Sequence, residues 1–303
     1  MANLIMMATA FCPAHITGFF KAELNKEESK QLGSLGAGFS IQKGVKTTVT
    51  IRNKTKHDIS NFTIKVNGFE SGDMKVSELI LSKFSTKTKY VNVMHEIDVP
   101  VGYGFGCSAA VALSLAIALN DALDCKLSKI QVAQIAHDVE IECKTGLGDV
   151  LASYYGGFEI RDKPGAPGIG HVQKISLNKI SIIMICFSPI STRKFIKEKL
   201  PQINGLGGKM VNKLLESKNY EHFQEMSLEF AKYVDVMTPR MQKVVNELSK
   251  NNIKCGIALF GETIFSMIPK ENENKVLKIL EKFSDGIIIK SELDDIGARV
   301  LNN

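Results

Sequence analysis

Val99-Pro-Val-Gly102-Tyr-Gly104-Phe-Gly106-Cys107-Ser108-Ala109-Ala110 leads without interruption into a run, Cys107 to Leu123, that is rich in Ala and Leu and free of Gly and Pro. The run predicts a buried helix, so three glycines precede its N-terminus and a serine lies in its first turn. Glycine lacks the Cβ that would hold an anion away from backbone N–H groups. The first N–H groups of a helix have no partner within it, and the helix dipole favours negative charge there. Phosphate binding across Gly102, Gly104, Gly106, Cys107, Ser108, Ala109 and Ala110 follows, with the Ser108 hydroxyl as an extra donor. The stretch lacks the Gly-Lys-Ser/Thr ending of a Walker A loop. It also lacks the strand-loop-helix placement and acidic ribose partner of a dinucleotide fingerprint. A tight glycine loop joining a strand to a core helix is the alternative that the local pattern leaves open.

A second amphipathic helix, Lys129 to Lys144, carries Glu140 and Glu142 and is broken by Gly146 and Gly148 just before Asp149. Residues two apart on a helix point in different directions, so at most one of the two glutamates can share a site with Asp149 comfortably. A helical carboxylate plus a second one after a glycine turn suits Mg²⁺ and a substrate hydroxyl. The competing interpretation has both glutamates solvated and Asp149 capping a helix that starts at Val150. Upstream, Cys12-Pro-Ala-His15-Ile-Thr17-Gly18-Phe-Phe20 sets His15 and Thr17 beside a glycine. Ser34, Arg161, Lys163, His171 and Arg193 are further anion-friendly residues near turns.

Around these motifs, Thr47–Arg52 and Ile59–Val66 alternate like strands, with a turn at Asn67-Gly68, and the polar Glu23–Ser34 reads as a loop. Pro164–Gly170 is rich in turn residues. Ile180–Phe187 is a continuous apolar strand that opens a second unit. Helices are expected near Lys209–Leu215, Tyr220–Tyr233, Met241–Asn251 and Glu271–Phe283, with strands at Ile257–Phe260 and Gly286–Lys290. Helices and strands alternating in this way predict an α+β arrangement.

The 303 residues, 44% hydrophobic and 23% charged, can bury the core of one large domain or two unequal ones. Mean hydropathy near zero opposes disorder. The net charge of +6 is spread without blocks. It favours an anionic ligand, while no basic patch interleaves with aromatics as nucleic-acid binding would require. The six cysteines form no CxxC pair, so a zinc ribbon or a thioredoxin-like site has no support. Cys125, Cys186 and Cys255 sit among apolar neighbours and read as reduced core residues. The N-terminus has no basic n-region and no stretch reaches about 18 apolar residues. A cytoplasmic chain that does not engage a membrane is expected.

The glycine stretch is similar to the phosphate-binding motif of the GHMP kinases, the superfamily of galactokinase, homoserine kinase and mevalonate kinase. With CPAHITGFF (12–20), GSLGAG (33–38), TGLGDVLASYYGGFEIRDKPGAPG (145–168) and GARVL (297–301), it most resembles an archaeal branch that phosphorylates pantoate in coenzyme A biosynthesis. The similarity spans nearly the whole chain. It implies an α+β, two-domain GHMP kinase fold: a βαβ-containing ATP-binding domain over 1–179 and a ferredoxin-like domain over 180–303, with both substrates in the cleft between them. It implies ATP across Gly102–Ala110, Mg²⁺ near Ser108 and Glu140, and Asp149 as the catalytic aspartate. His15 would stand, as a second catalytic group, where some members carry a lysine. The anionic acceptor is expected at His15, Thr17, Ser34, Arg161, Lys163 and Arg193, with the Gly33–Gly38 turn as a backbone donor. Cys255–Thr263 would form a third motif, with Ile257 and Ala258 where more glycine is usual. Rival readings are a kinase of another hydroxy acid or alcohol, such as homoserine or mevalonate, and a nucleotide-binding regulator without turnover. Retention of Glu140 and Asp149 disfavours the regulator. A homodimer is the expected assembly.

Overall fold

Two unusually long strands, β1 (Met6–Glu23) and β2 (Gly33–Asn53), form an antiparallel ribbon running from Met6 opposite Ile51 to Glu23 opposite Gly33. Register shifts between Pro13 and Ala14 and between Thr17 and Phe19 interrupt the ladder. Such bulges bend and twist a strand, so one ribbon can serve two packing environments. In this computed structural model the described residues are 5–70, 74–84, 86, 88–190 and 192–301, and the side chains of Phe69, Glu70, Thr192 and Arg193 fall outside the description.

After the ribbon come β3 (Phe62–Val66), β4 (Phe69–Glu70), α1 (Lys75–Ser82), β5 (Lys89–Ile97), α2 (Cys107–Ala122), α3 (Lys129–Cys143), α4 (Asp149–Tyr155), β6 (Phe158–Lys163) and β7 (His171–Ile175). The first sheet runs β12-β1-β2-β5-β3-β4, with β6 and β7 continuing from the Gly36–Phe39 part of β2; β12 is the chain's last strand (Arg299–Leu301). β3 and β5 are parallel and α1 lies between them in sequence, which makes the βαβ unit, since parallel neighbours need a crossover. α2 is buried on almost every side, as its Ala- and Leu-rich sequence predicts, and packs with Ala8, Ala10, Cys12, Val45, Val49 and Ile51 of the ribbon. α3 is started by a capping box between Ser128 and Gln131, which satisfies two N-terminal donors at once.

The second part contains β8 (Ile180–Pro189), α5 (Thr192–Ser217), α6 (Tyr220–Tyr233), α7 (Pro239–Lys250), β9 (Gly256–Ala258), β10 (Gly261–Pro269), α8 (Glu273–Leu280) and β11 (Ile287–Ser291). Its antiparallel sheet runs β11-β8-β10-β9. The two sheets meet at a cluster of phenylalanines. Phe223 of α6 stands 5.8 Å from Phe19, 6.2 Å from Phe39, 5.1 Å from Phe158 and 5.7 Å from Phe265 between ring centroids. Aromatic pairs at such spacings add to the stabilisation that burial provides. No helix among the described residues is long and apolar enough to cross a membrane.

Several sequence expectations change. Ser34 belongs to β2, so the loop ends earlier than expected. The strand expected from Ile59 begins only at Phe62, and Ile59 is fully exposed. The expected helix near Lys209–Leu215 is the last part of α5, a 26-residue helix that includes Pro201 and three glycines. Cys125 is exposed rather than core, because it follows the end of α2. A second unit of 180–303 would also take in β12, which hydrogen bonding gives to the first sheet, Thr9 pairing with Leu301 and Phe11 with Arg299. Asp294 organises that return by accepting from the backbone of Ile296 and Gly297 and from Arg299.

α5 persists through helix-breaking residues because the first sheet holds it. The Asn204 side chain accepts from Ala22 N at 2.8 Å and donates to Ala22 O at 3.2 Å, acting as a strand partner for β1. A Cβ at Gly207 would collide with the Phe20 carbonyl, whereas one at Gly205 would meet only the Tyr233 hydroxyl at 3.1 Å. Two alanine substitutions in one helix should therefore have opposite effects. Gly205→Ala should raise stability by up to about 1 kcal/mol through helix propensity. Gly207→Ala should lower it by about 1–3 kcal/mol through overpacking. Chemical denaturation of both variants checks the contrast.

Candidate active site

The glycine stretch connects β5 to α2, so it does occupy a strand-loop-helix position, contrary to the sequence reading. Gly102, Gly104 and Gly106 all have positive φ, at 88°, 86° and 58°. Gly106 is the N-cap of α2 and no side chain caps that end; the N–H of Ala110 is bonded to Gly106 O, and the N–H groups ahead of it in the first turn face the loop. The second part of the chain presses on this loop. A Cβ on Gly104 would collide with the Leu259 carbonyl, Thr263 Oγ1 donates to Tyr103 O at 2.8 Å, and Ile190 N donates to Gly102 O at 3.0 Å. The expected third motif, Cys255–Thr263, is thus the β9–β10 turn that clamps the glycine loop. At its tip Phe260 adopts φ +70°, a left-handed conformation that costs a non-glycine residue on the order of 1 kcal/mol or more.

A cavity of about 350 Å³ opens over the loop, bordered by Gly102, Gly104, Gly106, Ser108, Thr145 and Asp149. At its floor Ser108 Oγ donates to Glu140 Oε2 at 3.2 Å and Thr145 Oγ1 donates to Glu140 Oε1 at 2.5 Å. Glu142 lies on the outside of α3 beside Lys83, the helical phase that two-residue spacing predicts. Burial pushes the Glu140 carboxyl up to about 7, with Thr145 and Ser108 opposing the rise and Asp149 adding to it. A divalent cation alongside would reverse that balance. Among the described residues no cluster of three or more His, Cys, Asp or Glu is placed to hold a metal. The donors at hand are one carboxylate and one hydroxyl. That set of hard oxygens fits Mg²⁺, which is usually held by one or two carboxylates together with substrate phosphates.

Asp149 is the first residue of α4, not its cap. Gly148 is the N-cap and no side chain caps it. The Asp149 carboxylate turns back to His15, with Oδ1 2.9 Å from Nδ1, and accepts a longer hydrogen bond from Thr17 Oγ1 at 3.4 Å. Burial would raise its pKa. The hydrogen bond and charge of His15, with Arg161 and Thr17 helping, more than offset this and hold the carboxyl below the usual Asp range. His15 Nε2 lies 3.0 Å from Glu159 Oε1, and Arg161 Nη1 donates to the same oxygen.

A second, narrower pocket is lined by Thr17, Ser34, Gly148, Asp149, Arg161 and Phe260. A Cβ on Gly148 would collide with Ser34 Oγ and come within 2.9 Å of Arg161 Nε, a buried donor with no hydrogen-bond partner. Ser34, Thr17 and Arg161 therefore converge. Other candidates do not. His15 is 0% exposed with both ring nitrogens engaged, so it cannot bind an acceptor or touch reacting atoms. Lys163 is exposed at the far end of β6, paired in register with His171; His171 faces Asp162. Arg193 is in the first turn of α5, and its side chain is outside the described residues. Nor is Gly33–Gly38 a turn that donates N–H groups. It is the start of β2, and a Cβ there would strike Arg161 Nη2 at 2.6 Å from Gly36 or His15 Nε2 at 2.5 Å from Gly38.

Sequence reasoning passed over Glu159, Thr145, Lys144 and Phe260. The signal for Glu159 was present, since Glu159 and Arg161 alternate with apolar Phe158 and Ile160, and period two puts the charged pair on one face. Lys144, in a left-handed conformation at the end of α3, borders the cavity over the glycine loop.

Comparison with known proteins gives the family and the fold. Residues 74–157 match the family described as GHMP kinases N terminal domain. The chain is 33% identical over 276 residues to a pantoate kinase of Methanocaldococcus jannaschii, covering 89% of this chain and 96% of that protein. It is 29% identical over 279 residues to a pantoate kinase of Thermococcus kodakarensis, covering 91% and 92%. A solved phosphotransferase related to the CoA biosynthesis pathway superposes with a TM-score of 0.88 at 28% identity, covering 97% of this chain and 98% of that one. A homoserine kinase from Cytophaga hutchinsonii shares the fold, with a TM-score of 0.68 at 17% identity and 97% of each chain covered. A chain with this glycine cradle, this carboxylate placement and this extent of likeness belongs to the pantoate kinase family of the GHMP kinase superfamily.

Proposed function

We propose that the chain transfers the γ-phosphoryl group of ATP to the primary hydroxyl of (R)-pantoate, forming 4-phosphopantoate and ADP in coenzyme A biosynthesis. One observation carries the reading: Asp149 borders both the cavity over the glycine loop and the pocket lined by Ser34 and Arg161. A carboxylate so placed can take a proton from a hydroxyl in one pocket while its oxygen meets a phosphate in the other. Family membership supports the choice of acceptor, and a cytoplasmic location is in keeping with such a small-molecule reaction.

In this reading the Gly102–Ala110 N–H groups hold the phosphates, and Lys144 adds positive charge beside them. Ser108 and Glu140 would hold Mg²⁺, which supplies charge neutralisation on the phosphate oxygens. Arg161, through its unpartnered Nε, and Ser34 bind the acceptor carboxylate, with Thr17 beside them. That anchor sets the acceptor hydroxyl against Asp149. The hydroxyl oxygen then bonds to the γ-phosphorus as the bond to the β–γ bridging oxygen breaks, and Asp149 receives the proton. The catalytic contribution is positioning and charge stabilisation, as in phosphoryl transfer generally. The same reading includes a homodimer. The face of the first sheet away from its helices leaves Met7 and Met94 exposed and offers a surface for it.

A coupled ADP-release assay across pantoate, homoserine, mevalonate and shikimate tests the acceptor. Turnover should be confined to pantoate, and a preference for any of the others would replace the reading.

Asp149→Asn should lower kcat by about 10²–10⁴-fold, the usual range of general-base assistance. ATP affinity should stay close to that of the parent, while thermal stability should fall, since the buried His15 cation loses its charged partner. Turnover within a few-fold of the parent would remove Asp149 from the mechanism.

Glu140→Gln should raise the Mg²⁺ concentration needed for half-maximal activity by tenfold or more, about the scale at which even outer-shell partners act. Glu142→Gln should leave it near the parent value. Magnesium titrations of the two variants make the comparison.

A further inference from the structure

His15 is completely buried and lies between two carboxylates, Asp149 Oδ1 at 2.9 Å from Nδ1 and Glu159 Oε1 at 3.0 Å from Nε2. Carboxylates accept hydrogen bonds and do not donate them. A neutral imidazole has one acceptor nitrogen, which would point its lone pair at one of these oxygens. Only the doubly protonated ring satisfies both contacts. The surrounding charges agree. Arg161 donates to Glu159 Oε1, so the order through the site is Arg161 positive, Glu159 negative, His15 positive, Asp149 negative. With His15 protonated the row sums to zero; with it neutral, a net negative charge would be buried. Arg161 Nη1 and His15 Nε2 are 3.5 Å apart, the separation of two donors that share one acceptor. Gly38 makes room for the ring, because any Cβ there would lie 2.5 Å from Nε2.

Resting on the reading above for its kinetic part, we propose that Glu159 is a positioning residue for phosphoryl transfer: it holds His15 as an imidazolium, which in turn keeps Asp149 ionised and aimed at the acceptor hydroxyl. Glu159 is 0% exposed and borders neither pocket, so it acts through His15 and not on a reactant. The groups that face His15 are Asp149 of α4 and Glu159 and Arg161 of β6; Thr17 is the remaining polar contact. Burial alone would lower the His15 pKa. The hydrogen bonds to Asp149 and Glu159 and the charge of Glu159 outweigh burial and Arg161, and the net displacement is upward. A raised histidine pKa means that the cation persists into the neutral range and is lost as pH rises through the raised value. The active pairing, Asp149 ionised beside His15 protonated, therefore has an alkaline limit set by His15.

Glu159→Gln keeps the shape of the side chain and its carbonyl acceptor but removes the charge. The alkaline limb of the kcat–pH profile should move down by about 1–3 pH units, the usual effect of an opposite charge at this range. KM for ATP should hold. Glu159→Asp, which retains the charge, should recover much of the shift. A fall in kcat at unchanged limb position would mean that Glu159 only supports the fold, and would overturn the proposal. A second measurement does not depend on the acceptor or on turnover. Two-bond ¹H–¹⁵N correlation of ¹⁵N-histidine-labelled protein, with His15 assigned by a His15→Gln variant, should show His15 doubly protonated at pH 7.5 in the parent and neutral in Glu159→Gln. A neutral His15 in the parent, or a ring still cationic in a folded Glu159→Gln, would overturn it. If Glu159→Gln does not fold, the parent spectrum and Glu159→Asp still decide. Inactivity towards pantoate alongside a cationic His15 would count against the acceptor assignment and not against this one.

Discussion

Four side chains of alternating charge, Arg161, Glu159, His15 and Asp149, form a row where β1, β2, β6 and the start of α4 meet, the first three fully buried and Asp149 half-buried at the pocket end. Removing ions from water costs several kcal/mol each even after the protein relaxes, and mutual attraction offsets this only when geometry is good and the remaining hydrogen bonds are made. The surrounding structure is shaped to meet that condition. Gly36 and Gly38 strip the opposing strand of side chains so that the guanidinium and the imidazole can lie against backbone. The bulges in β1 on either side of His15 and Thr17 turn these residues toward α4. Within the row, Arg161 Nε and Glu159 Oε2 are left without a hydrogen-bond partner. Arg161 itself lines the narrow pocket.

The second half of the chain matters to the site through contact more than through chemistry. Among the described residues none of its carboxylates lines the cavity over the glycine loop; its contribution is the β9–β10 turn, which packs against that loop. Leu259 N donates to Thr17 O at 3.1 Å, so the turn touches both the glycine loop and the strand that carries His15. Phe260, strained at its tip, borders both pockets and packs on Phe20 and Phe195. Strain of this kind persists only where surrounding packing over-determines it, and Phe20 of β1 and Phe195 of α5 supply that packing. The glycine loop is thus held in place by tertiary contact as well as by its own glycines.

Much of the molecule was legible from local pattern. A hydrophobic run without breakers becomes a helix wherever it is packed, so α2 and the glycine loop before it followed from residues 99–123. Helical periodicity separated Glu140 from Glu142, because 3.6 residues per turn cannot bring both to one face. Pattern failed where long-range contact overrode propensity. α5 runs through Pro201 and three glycines because Asn204 and Gly207 dock on β1. Cys125 is apolar in sequence context yet exposed, since a chain turn places it outside the core.

By itself, then, the sequence determined the α+β class, the glycine loop ahead of α2, the parting of Glu140 from Glu142 on α3 and the presence of a carboxylate at 149, all of which depend on residues within a few positions of one another. Which groups meet was decided only by the tertiary structure. His15 and Asp149 are separated by 134 positions and His15 and Glu159 by 144. Neither pairing leaves a periodic trace, because each arises from strand register and from the glycines that let charged side chains approach backbone. The same contacts turned Asp149 from a plausible helix cap into the partner of a buried histidine, and turned His15 from a candidate ligand into a group sealed away from any substrate. Burial and partner identity set the charge a side chain carries, and both are properties of the packed chain.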